Sequence, residues 1–110
     1  MDIEIRAREF TLTDGIRRHI ERRLGFALDR FAQRIRVIRV YVRDVNGPRH
    51  GADDKCCRLA VRLAHKLLVL EERAGDLYEA IDRAAHRVRK MIASTVKRGK
   101  RRATPQFQEV

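Results

Sequence analysis

No stretch of this 110-residue chain approaches the roughly 20 consecutive apolar residues that cross a membrane. The N-terminus, MDIEIRAREF, has no apolar run behind a basic start, so it does not read as a secretory signal. A cytoplasmic protein without a membrane partner is expected. Cysteine is nearly as scarce, with two residues side by side at Cys56 and Cys57. Adjacent strand residues point to opposite faces, so these two cannot easily pair with each other and read as free thiols. Metal chemistry is short of ligands too. His19, His50, His65 and His86 show no ligand spacing relative to the cysteines, and neither a metal nor a cofactor is expected. A thiol enzyme with His50 or His65 as base would need a nucleophile, a base and an orienting group to converge. The pattern instead puts Cys57 in the core and Cys56 among arginines, which would lower its pKa, although structural cysteines are commoner than reactive ones. Glu71 and Glu72, adjacent on a strand, point apart and make no acid/base pair; they suit the surface or cross-strand pairing with Arg58 and Arg62. No enzymatic activity and no small-molecule substrate are expected.

Acidic residues are missing where basic ones gather. Not one occurs from Arg83 to Arg102, in a chain with 26 Lys and Arg against 15 Asp and Glu, a net charge of +11 and a pI near 11.0. That balance is the footprint of a nucleic-acid or anionic-surface binder, and the preference for Arg over Lys suits bidentate phosphate contact. The charge coincides with the clearest helix, Asp76 to Arg98. Leu77, Ile81, Ala84, Ala85, Val88, Met91, Ile92, Thr95 and Val96 recur at steps of three and four, an apolar stripe that must be buried. Asp76 with Glu79 has the form of a capping box. The opposite face carries Glu79, Arg83, His86, Arg87, Lys90 and Lys97, with Arg89 and Arg98 at its edges. A solvated face usually mixes signs, whereas here like charges four apart, such as Arg83 and Arg87, repel one another and would be relieved by a polyanion.

The length suits one domain with one core. Residues 2–9 alternate, Ile3, Ile5 and Ala7 against Asp2, Glu4, Arg6 and Arg8, as a half-buried strand. Thr13 is a good N-cap for a helix from Asp14 to about Phe31. That helix buries Ile16, Ile20, Leu24, Ala27, Leu28 and Phe31 and turns Arg18, Arg22 and Asp29 outward, with Arg17, Arg23 and Arg30 at the margins. Gly25 lies on its exposed face and weakens it by up to about 1 kcal/mol relative to Ala. A second strand spans Ile35 to Val45, with Ile38, Val40 and Val42 inward and Arg39, Tyr41 and Arg43 outward. Residues 46–54, NGPRHGADD, form a loop. A third strand, Lys55 to Leu63, turns Cys57, Leu59, Val61 and Leu63 inward and Cys56, Arg58, Ala60 and Arg62 outward. A fourth, Leu67 to Arg73, buries Leu68 and Leu70. Residues 99–110 have no periodicity and form a basic tail expected to be disordered without a partner.

The fold class is therefore α+β, a β-α-β-β-β-α two-layer sandwich with a four-stranded sheet and both helices on one face. The second strand returns beside the first through a crossover, and the next two follow antiparallel. Residues 1–98 form the domain. The αβββα order within it would also suit a generic double-stranded RNA-binding module, although the added first strand and helix argue against that reading.

At this point the chain resembles the ribosome hibernation-promoting factor family, also called the ribosome-associated inhibitor or sigma-54 modulation family, over roughly residues 1–98. The element order, the opening strand followed by F-T-L-T-D-G-I-R-R-H-I, and above all Asp76-Leu77-Tyr78-Glu79-Ala80-Ile81-Asp82 carry the resemblance. It implies a non-enzymatic inhibitor that binds small-subunit rRNA in the tRNA/mRNA channel and promotes ribosome hibernation under stress or in stationary phase, in the manner of the family's short forms. Arg87 and Lys90 fall where the family has basic residues on the exposed side of this helix. Charge alone adds Arg83, Lys97, Arg98, Arg18 and Arg22 as rRNA-binding candidates. The expected partner is the small ribosomal subunit, with the protein monomeric when free. Tyr78, one residue into the helix, is expected to pack over the sheet edge.

Overall fold

The computed structural model describes residues 1–9, 11–44 and 54–109, the last segment with side chains as far as Arg98. The chain runs β1 (Asp2–Arg8), α1 (Asp14–Leu28), a 3-10 helix (Asp29–Arg34), β2 (Ile35–Asp44), β3 (Lys55–Leu63), β4 (Leu67–Ala74) and α2 (Leu77–Glu109). The sheet order is β1-β2-β3-β4. β1 lies parallel to β2, while β2 with β3 and β3 with β4 are antiparallel. A parallel pair needs a crossover between its members, and α1 supplies it. The two-layer α+β sandwich expected from periodicity is the fold observed.

Strand alternation decides what each sheet face buries. Ile38, Val40, Val42, Cys57, Leu59, Val61, Leu68 and Leu70 all enter the core. There they meet Ile20, Leu24 and Leu28 of α1 and Leu77, Ile81, Ala84, Ala85, Val88 and Ile92 of α2. Both helices therefore cover one face, and the other is open. Ile81 is 2 % exposed and Val88 fully buried; burying such side chains contributes about 1.5–3 kcal/mol each.

Both helices start where their caps stand. The Thr13 hydroxyl accepts from the Ile16 amide at 3.2 Å. Asp76 accepts from the Tyr78 amide at 3.1 Å, and its carbonyl takes the Ala80 amide at 3.0 Å. The second half of the expected capping box is not formed. Glu79 instead accepts from Arg83 at 2.6 Å, because a cation one turn along offers a charge-assisted bond that a backbone amide does not.

Two other expectations differ in detail. The first helix leaves α geometry after Leu28 and continues as the 3-10 helix, which keeps Phe31 in the core at the same spacing of three. Backbone helix continues past Arg98 to Glu109, where periodicity ends and side chains lie outside the described residues. Val45 and the loop expected over 46–54, except Asp54, are also outside them. At the border of that segment Lys55 bridges Asp44 at 2.9 Å and the buried Asp54 at 3.4 Å. Glu9, with φ 65°, bends the chain away from the end of β1 in a left-handed conformation unusual for a residue other than glycine.

Candidate nucleic-acid interface

The two helices are joined by a polar seam that periodicity did not reveal. One carboxylate oxygen of Asp82 on α2 lies 2.8 Å from His19 Nε2 and 3.0 Å from Arg23 Nε on α1. Tyr78 packs edge-on against the His19 ring, with centroids 4.7 Å apart, and a Cβ at Gly15 would stand 3.5 Å from its hydroxyl. Tyr78 thus packs on α1 rather than over the sheet edge. The aromatic contact favours this site because the edge-to-face geometry adds to simple burial. In the stretch that carries the family resemblance, Asp76 starts α2, Ile81 enters the core, and Tyr78 and Asp82 dock α2 on α1.

Of the seven basic positions named from the sequence, two have structural partners. Arg83 donates to the Arg73 carbonyl at 3.0 Å and pairs with Glu79. Arg87 donates to the Glu71 carbonyl at 3.4 Å and lies 3.4 Å from the Glu72 carboxylate. β4 is an edge strand, and these arginines occupy carbonyls that such a strand leaves unpaired. The repulsion inferred between Arg83 and Arg87 is therefore relieved within the chain by Glu79 and Glu72. Glu72 serves α2 rather than Arg58 or Arg62. Glu71, which faces Arg58 across the strands, accepts from the Cys56 thiol at 3.1 Å and lies 3.8 Å from Arg73.

The other five, Arg18, Arg22, Lys90, Lys97 and Arg98, are exposed and have no ion-pair partner among the described residues. At 100° per residue Lys90 and Lys97 point directly away from the core, and Arg18 and Arg22 do the same on α1. Phe26, one turn beyond Arg22, is 82 % exposed. An apolar residue in the polar phase of a helix was the signal for it. The helical layer thus presents a predominantly basic surface, interrupted on the α1 side by the exposed Glu21 and Asp29, with an aromatic near its arginines, suited to phosphate and base contact.

The opposite layer is also basic. Arg8, Arg39, Tyr41, Arg43, Arg58 and Arg62 line a shallow concavity of about 550 Å³ on the open sheet face. Cys56 sits at its floor, on the outward face as expected, but is only 1 % exposed, its thiol donating to Glu71 with Arg43 and Arg73 close by. Burial, with the Glu71 carboxylate beside it, pushes the Cys56 thiol up to about 11 despite Arg43 and Arg73. Burial, with Cys56 beside it, pushes Cys57 up to about 12. The arginines therefore do not make Cys56 a thiolate nucleophile. Among the described residues no cluster of His, Cys, Asp or Glu has the grouping of a metal site, and no helix is long and apolar enough to cross a membrane.

A single α+β domain with two basic faces is the class that fold and charge define. Residues 3–100 match the sigma 54 modulation protein / S30EA ribosomal protein family, and the chain belongs to that family. The crystal structure of the Thermus thermophilus Protein Y N-terminal domain is 29 % identical, with a TM-score of 0.69 over 84 % of this chain and 96 % of that one. A ribosomal subunit interface protein from Coxiella burnetii superimposes with a TM-score of 0.74 over 88 % of this chain and 99 % of that one; at 15 % identity it bears on the fold alone. Among curated proteins no sequence match was found.

Proposed function

We propose that the chain is a ribosome-associated translation inhibitor that seats its helical layer on small-subunit rRNA in the tRNA/mRNA channel and promotes ribosome hibernation under stress. It acts without chemistry of its own and is a cytoplasmic monomer when free. The observation that carries the proposal is the set of exposed cations without an ion-pair partner among the described residues, Arg18 and Arg22 on α1 and Lys90, Lys97 and Arg98 on α2, in a member of a ribosomal protein family. Arg83 and Arg87 border this set and contribute charge while holding β4. A tail from residue 99 that takes its final order against rRNA belongs to the same proposal.

Co-sedimentation with purified small subunits across a salt series tests it. Each phosphate neutralised releases counterions, so about six contacts lower the affinity about a thousandfold between 50 and 200 mM salt. Cell-free translation should be inhibited over the same concentration range. Retention on subunits that does not change with salt, or preference for naked duplex RNA over intact subunits, would refute the proposal.

A further inference from the structure

The open sheet face has no role in the helical seating proposed above, yet its side chains are arranged in register. One row across the sheet reads Arg6, Tyr41, Arg58, Glu71, and the next reads Arg8, Arg43, Cys56, Arg73. Glu71 is occupied by Cys56 and Arg73. Arg6, Arg8, Arg43 and Arg58 are left without an acidic partner among the described residues. Arg8 and Arg43 are direct neighbours across the β1-β2 pair, an arrangement that destabilises a sheet unless an anion lies over it. Tyr41, at 38 % exposure the aromatic of this face, lies between Arg6 and Arg58.

We infer that this face binds a single-stranded RNA segment, with one base stacked on Tyr41 and the flanking phosphates held by Arg6 and Arg58 on one row and Arg8 and Arg43 on the next. The rows are about 7 Å apart, two strand residues, which is comparable to the separation of successive phosphates in an extended strand. A base within a duplex has both faces covered by its neighbours and cannot stack on a tyrosine fixed in a sheet, so the occupant is an unpaired strand. The concavity of about 550 Å³ lies within the range of sites that hold small organic groups. Since the helices cover the other side of the sheet, the domain would hold two RNA segments on opposite faces. The inference goes beyond ribosome seating and needs no ribosome, so either can fail without the other.

Fluorescence anisotropy of a labelled deca-uridine RNA with the full chain tests it. Tyr41→Leu should weaken binding about tenfold, as loss of one stacked base implies, and leave the salt slope unchanged. Tyr41→Phe, which keeps the ring, should bind like the parent. The double variant Arg6→Ala/Arg58→Ala should reduce the salt slope by roughly 1.4, two single-strand phosphate contacts. Thermal melts identify variants that are folded. Folded Tyr41→Leu binding within twofold of the parent would overturn the inference. So would equal competition by a duplex RNA hairpin or by polyglutamate.

Discussion

Gly25 shows how far a single position can be read. It lies within α1, and nothing comes within 4 Å of where a Cβ would stand, so its helix-weakening effect is uncompensated. Gly25→Ala should raise stability by up to about 1 kcal/mol, measured by urea unfolding. The cysteines show the opposite case. Alternation assigned Cys57 to the core but could not show that Cys56, on the other face, would be buried beside Glu71, Arg43 and Arg73, since a residue's cover comes from neighbouring strands. With the thiols held up at about 11 and about 12, both should resist a disulfide-exchange reagent at pH 8 and react once the chain is denatured. The linkage has a definite sign. Each folded pKa lies above the ordinary thiol value of 9.0, so the folded state holds its protons longer than the unfolded state. The thiols' contribution is complete below about pH 9 and is lost as pH rises toward 11–12. Urea midpoints across that range should fall, and fall less in a Cys56→Ser/Cys57→Ala variant that remains folded.

At the scale of elements, strand alternation and the two helix starts were legible because each is a local pattern with a fixed period. The 3-10 turn after Leu28 was not, since Phe31 keeps the same core phase in either helix type. Nor was the seam of His19, Tyr78, Arg23 and Asp82, which joins residues distant in sequence and depends on how α1 crosses α2. The same limit applies to Arg83 and Arg87: the helical wheel placed them outward, but only the strand order puts β4 beside them. Asp76→Ala removes the N-cap bond to Tyr78 and should cost about 1 kcal/mol. Asp82→Ala breaks a half-exposed polar contact and should cost no more than about 1 kcal/mol. Both losses should appear in thermal melts, while ribosome co-sedimentation below the melting temperature stays near that of the parent. A large loss of ribosome binding by folded Asp82→Ala would show that the motif contacts rRNA directly.

For the molecule as a whole, charge had to be divided between folding and binding, and composition alone does not make that division. The net charge of +11 includes cations fixed to β4, cations on the open sheet and exposed cations on the helices. Reversing each group should separate these roles. In Arg83→Glu/Arg87→Glu, two bonds to the edge carbonyls are lost and each new carboxylate faces an old one, Glu79 or Glu72. This variant should lose about 1–3 kcal/mol of stability as well as affinity for small subunits. Arg18→Glu/Arg22→Glu/Lys90→Glu/Lys97→Glu removes side chains that hold nothing in place among the described residues. Its melt should therefore remain near that of the parent. Its ribosome binding should collapse, because four phosphate contacts become four repulsions, and the salt slope should fall by about one unit for each contact removed. If the quadruple variant stays folded and still sediments with small subunits and blocks cell-free translation like the parent, the helical layer is a solvated surface. Ribosome binding would then have to pass through the arginines of the sheet, and reversal of Arg8, Arg43 and Arg58 would become the deciding measurement.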